Sequence, residues 1–160
     1  MKIKDVLLCW DFIFALIIAI ILNIFMFKYI QLSLIIDILS IIISTLSIIF
    51  SLFFAGMSII LTSNDDDFIN FLEEDNIYSD IISTFKFTLS ITFISLIIHI
   101  MMYFIIQLII SNLYTNLHKW FILFPTFIFF YSIFATFNSV IDAIKYAEKR
   151  IKYIKLKNKL

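Results

Sequence analysis

The chain has 160 residues and no formal net charge; 62% of its residues are apolar and only 15% are charged, with a mean hydropathy of +1.06. A soluble domain runs nearer half apolar, so the composition excludes one and predicts an all-α integral membrane protein. A single glycine (Gly56), proline (Pro125) and cysteine (Cys9) argue against glycine-rich turn folds and broken-helix transporters, and exclude a disulfide framework or a cysteine-rich metal site.

Four apolar segments are each long enough, at about 1.5 Å per residue, to cross a hydrocarbon core of about 30 Å. Backbone groups in lipid must be satisfied within the segment, so all four are predicted helices. The first, residues 6–27, follows Lys2 and Lys4 and mimics a signal peptide. It is too long, carries Asp11 and lacks a small-residue cleavage site, so it reads as a retained first span.

The second segment, residues 34–62, lies within SLIIDILSIIISTLSIIFSLFFAGMSIILT. Ser33, Asp37, Ser40, Ser44, Ser47, Ser51, Ala55, Ser58 and Thr62 recur every three or four residues. At 100° per residue they stay within a sector about 80° wide, while the rest of the surface is mostly Ile, Leu and Phe. Two readings stand side by side. Small residues let helices approach closely and hydroxyls bond across; equally, such faces gathered around an oligomer axis would line a pore. A serine hydroxyl can bond its own helix carbonyl, so the row does not in itself imply water. Asp37, toward the outer end, is the candidate for an outer charge ring in a cation-conducting assembly.

Residues 63–80, beginning SNDDDFINFLEEDNIYSD, form the predicted tip of a cytosolic hairpin between the long second and third helices. Asp65, Asp66, Asp67, Glu73, Glu74, Asp75 and Asp80 crowd this tip, and Phe68, Ile69, Phe71 and Leu72 supply a short apolar face. The third segment, residues 81–110, carries Thr84, Thr88, Thr92, Ser95, His99, Tyr103 and Gln107, of which only Thr88 to His99 makes a straight face. His99 falls near mid-membrane, either hydrogen-bonded in the packing or acting as a gate or proton sensor. The fourth segment, residues 120–143, is aromatic, with Ser132, Thr136 and Ser139 marking an inward side. Beyond the span domain (residues 1–145) a basic amphipathic tail (146–160) is expected to continue the fourth helix. Lys145, Lys149, Arg150, Lys152, Lys155, Lys157 and Lys159 lie in or just before it.

This crowding of cations, with Lys2 and Lys4, predicts both termini in the cytosol of a bacterial inner membrane. The tail attracts anionic lipid, or forms ion pairs with the acidic tip, within or between copies. Asp65, Asp66, Asp67, Glu73, Glu74, Asp75, Lys149, Arg150, Lys152 and Lys155 are the candidate partner-binding residues. Asp11 and Asp142 sit shallowly enough to pair with a lysine such as Lys4 or Lys145. Two histidines (His99, His118) and one cysteine cannot build a zinc cluster. No nucleophile elbow or phosphate loop occurs, and the aspartate run lacks calcium-loop spacing. No enzyme activity, cofactor, metal or direct nucleic-acid binding is therefore expected.

Four spans, an acidic hairpin after FAGMSIILTSNDDD and a basic tail resemble the small four-helix membrane proteins of bacterial anti-phage operons. These include the membrane subunit of Kiwa-type systems and four-span effectors of cyclic-nucleotide defence. The resemblance is one of architecture over most of the chain. It implies a homo-oligomer working with a cytosolic protein partner; a tetramer is the expected stoichiometry. A pore-forming sensor or effector is the leading expectation. A non-conducting scaffold or immunity-type protein is the alternative, followed by a small exporter using Asp11 and a phage holin.

Overall fold

The computed structural model describes residues 10–26, 32–62, 66–74, 76–111 and 119–158. Five helices account for nearly all of them: α1 (Trp10–Met26), α2 (Leu32–Thr62), α3 (Asp66–Glu73), α4 (Ile77–Ser111) and α5 (Lys119–Lys157). Three of these, α2, α4 and α5, are long and apolar enough to cross a membrane, and α1 is a shorter apolar helix. At about 1.5 Å per residue, α2, α4 and α5 measure about 46, 52 and 58 Å, well beyond a core of about 30 Å. Long runs of Ile, Leu and Phe without glycine or proline explain the continuity of α4. Pro125 lies in the second turn of α5, near its start, and the helix continues without a break past residue 145.

The three long helices and α1 pack in the order α2, α4, α5, α1, each chiefly against its immediate neighbours. They therefore form an open layer rather than a closed four-helix bundle. Between α2 and α5 this leaves an apolar groove over α4, lined by Leu52, Phe85, Val140 and Ala147 among others. The α1–α5 contact is made by Ala15 and Ala19, both fully buried, whose small side chains let the two backbones approach. Phe12 meets Phe127 and Tyr131 edge-on across the same contact. Asp11 accepts a hydrogen bond from Asn138 of α5, whereas Lys4, the partner expected from sequence, lies outside the described residues. Asp142 pairs with Lys145 at 2.8 Å. Replacing Asn138 by Leu is expected to destabilise the α1–α5 contact by about 1–3 kcal/mol, since the carboxylate loses its donor. Reversible unfolding in mixed micelles would measure it, and an unchanged midpoint would show the pair to be dispensable.

Two apolar clusters bracket the layer. Leu39, Met102 and Ile106 form the one at the α2 N-terminal end. At the opposite end Ile60, Phe68, Leu72, Ile81, Phe85 and Tyr146 form the other. Gly56 lies near this second cluster, yet a Cβ built on it would meet only Phe85 at 3.9 Å, an ordinary contact. Gly56→Ala is accordingly expected to raise stability by up to about 1 kcal/mol, the helix-propensity difference, read in the same unfolding assay.

Candidate functional sites

Three places gather the residues singled out above. The first is the small-residue face of α2. Leu39, Leu46 and Ile60 turn inward and are buried, with Phe50 and Phe53 against Phe93 and Phe85 of α4. At 100° per residue the serine row lies about 140° round the helix from that stripe. Ser33, Asp37, Ser40, Ser44, Ser51, Ala55, Ser58 and Thr62 are exposed, and Ser47 is half-buried. The row thus faces away from α4, on the end helix of the layer. Its hydroxyls fold back onto their own helix: Ser44 donates to the Ser40 carbonyl, Ser47 to Ile43, Ser51 to Ser47, Ser58 to Phe54 and Thr62 to Ser58, at 2.8–2.9 Å.

The second place is a buried polar seam between α4 and α5. Thr88, Thr92, Ser95 and His99 of α4 meet the side of α5 that carries Ser132 and Ser139, and all six are buried. Thr88 lies 3.1 Å from the Ala135 carbonyl and 2.6 Å from the Ser139 hydroxyl. Its one proton goes to the carbonyl, so Ser139 donates to Thr88. His99 Nδ1 sits 2.6 Å from the Ser95 carbonyl. A carbonyl only accepts, so Nδ1 carries a proton. Neither His99 Nε2 nor the Thr92 hydroxyl has a hydrogen-bond partner among the described residues. The edge of Phe129 closes over the imidazole, with ring centroids 6.1 Å apart. This candidate gate or sensor thus lies buried between α4 and α5 of the single chain, away from the α2 face. Replacing Thr88 by Val is expected to cost about 0.6–1.7 kcal/mol, the range for hydrogen bonds between membrane helices. A double-mutant cycle with Ser139→Ala should recover most of that loss as coupling, whereas additive effects would mean the hydroxyls do not cooperate.

The third place is the end of the layer beyond Thr62. Here the short α3 lays Phe68 and Leu72, both buried, against α4 and α5. Phe68 packs on Tyr146 and Tyr153 at 5.6 and 5.2 Å between centroids, and Phe71 packs on Tyr153 at 5.4 Å. Asn76 adopts a left-handed conformation (φ 55°), which asparagine tolerates better than most residues. That turn admits α4, whose first turn is held by Glu73 accepting from the Ser79 amide and hydroxyl. The acidic tip thus meets the basic tail through aromatic rings. Among the described residues, Asp67, Glu73, Glu74 and Asp80 make no ion pair with Arg150, Lys152 or Lys155, while Asp142 pairs with Lys145. Lys157 lies over the Tyr153 ring at 5.6 Å, and Lys149 is half-buried. Asp65 and Asp75 lie outside the described residues, as does the side chain of Asp66.

Sequence reasoning missed Asn138 and the Ala15–Ala19 pair. The pair carries a signal in the sequence, two alanines four apart on one helix, weaker than that of the serine row. Among the described residues no three His, Cys, Asp or Glu side chains converge as metal ligands would. Comparison with protein-family models, curated proteins and solved structures finds no match to this chain. Its described residues are all-helical, with three helices of membrane-crossing length and composition, the character of a helical membrane protein.

Proposed function

We propose that the chain is an oligomeric effector of the bacterial inner membrane, with four spans and both termini cytosolic, whose α2 serine faces meet around a common axis. The observation that carries this reading is the position of the row, outward on the end helix of an open layer. Leu, Ile and Phe suit lipid tails, whereas small polar side chains gain most from another helix or from water. The opposite end helix, α1, presents Ile13, Ile17, Ile20 and Ile24 outward, as a lipid-facing edge does. The two edges are chemically unlike, and only the α2 edge is suited to pack on copies. The cytosolic knob at the end of the layer is the place for a soluble protein partner, as in the anti-phage membrane proteins that the architecture resembles.

Reconstitution into vesicles tests the reading. The expected result is an oligomeric particle with a single stoichiometry, a tetramer favoured, and a leak of monovalent cations. A monomeric particle in sealed vesicles would overturn it. One observation favours a second reading, a non-conducting scaffold: every described hydroxyl bond of the row closes on its own helix, so a dry seam satisfies the face as fully as a wet pore. Assembly without flux would select the scaffold.

A further inference from the structure

The cytosolic end carries two unlike faces on opposite sides of α5. On one side, Tyr146 and Tyr153 hold α3. On the outer surface of α3 itself, Asp67, Asn70, Glu73 and Glu74 are exposed, opposite Phe68 and Leu72. Away from the tyrosines, Ile144 and Ile151 each stand 55% exposed, and Ile154, about a quarter-turn from Tyr153, stands 49% exposed. Ile144 and Ala147 also line the rim of the groove toward α2. Ile144 and Ile151 are each two residues before a docking tyrosine, which puts them about 160° round the helix from it. Ala147 lies between them, and Arg150 and Lys155 flank the stripe, with Lys152 and the single acid Glu148 farther round. Among the described residues, Arg150, Lys152 and Lys155 make no ion pair.

Bilayer lipid is poorly placed to cover this stripe. The apolar part of α5 ends at Asp142, the first charged residue after Lys119 at its start. Ile151 and Ile154 lie about 14 and 18 Å farther along the axis, whereas the headgroup layer is about 5–8 Å thick on each side. Apolar side chains flanked by cations at that height suit an acidic protein surface.

We propose that the Ile144–Ile154 stripe of α5 receives the acidic outer face of α3 from a second copy. This rests on the reading that the chain assembles with itself. The donor and acceptor faces are on opposite sides of one rod, so a two-fold pair cannot satisfy both at once. Copies inserted with the same orientation must then follow head to tail, closing into a ring where the rotation between neighbours closes and running on as an open row where it does not. Charge complementarity sets the order of copies, and the isoleucines add apolar burial that ion pairs alone would lack.

A cysteine pair tests the contact. In a Cys9→Ser background, Asn70→Cys with Ile151→Cys is expected to give, on mild oxidation in the membrane, a ladder of disulfide-linked multimers. The two sites lie on opposite sides of α5, so bonds within one chain are disfavoured. Arg150→Glu with Lys155→Glu should abolish the ladder, and adding Asp67→Lys with Glu74→Lys should restore it. Ser51→Cys in the same background reports the membrane face separately, as a cross-linked dimer. If that dimer forms while the ladder does not, or the ladder ignores charge reversal, the cytosolic contact is overturned and the α2 axis stands. If neither product forms, both fall. A fluorophore on Ile151→Cys that is quenched by spin-labelled anionic lipid would place the stripe on the membrane and also overturn the contact.

Discussion

Replacing Ser44 and Ser51 together by leucine is expected to abolish assembly, and any ion flux with it, while the single chain keeps its fold. The two residues lie seven apart on one line of α2, and both are exposed. Within the chain each hydroxyl bonds only its own helix, at 2.9 and 2.8 Å, so the substitution removes no contact between helices. Leucine is as compatible with lipid tails as the neighbouring Ile and Phe, and the isolated chain tolerates it. Between copies the effect is opposite, because two branched side chains stand where backbones approach. A loss of at least about tenfold in association constant, about 1.4 kcal/mol, is the minimum expected. Counting subunits by stepwise photobleaching in vesicles, with dye flux in parallel, would measure it. Unchanged stoichiometry and flux would remove this face from the axis.

Phe68→Ala is expected to have the largest local effect, releasing α3 from the layer. An eight-residue helix is far below the roughly 12–15 residues at which an isolated helix becomes even marginal in water. Its helicity therefore depends on docking, and the docking depends on Phe68 against Tyr146 and Tyr153. Truncating a buried phenylalanine costs about 3–5 kcal/mol, comparable to everything an eight-residue helix gains by docking. Amide exchange over residues 66–74 should rise to nearly that of an unfolded peptide, with little change in α4 beyond its first turns. Protection that survives the substitution would show that Leu72 and Phe71 suffice. The acidic outer face is presented by the same docking, so Phe68→Ala should also remove the disulfide ladder.

The long helices were legible because their signal is local: an uninterrupted apolar run of that length has few alternatives to a membrane helix. The serine row was legible as a face for the same reason, since 3.6-residue periodicity needs no knowledge of neighbours. Its position at the end of the layer was not. That depends on which surfaces fit each other, here Thr88 on Ser139 and two alanines on α5, and pairing across such separations leaves no periodic trace. The Asp11–Asn138 bond joins residues 127 apart and is invisible for the same reason. Opposite charges in the tip and tail suggest lipid attraction or ion pairs within or between copies; among the described residues the contact between α3 and α5 is made by Phe68, Phe71, Tyr146 and Tyr153. Exposed ion pairs contribute little in water, whereas aromatic burial contributes more.

The back-bonded hydroxyls of α2 have a consequence for how the molecule can live in a membrane. Ser44, Ser47, Ser51, Ser58 and Thr62 each hold a carbonyl already, so a lone copy surrounded by lipid leaves none of these polar groups stranded. The solitary form is an admissible species, and joining others replaces no broken bond. If copies assemble as proposed, their association is governed by mass action and responds to copy number in the bilayer: a dilute population stays dispersed, and crowding brings it together.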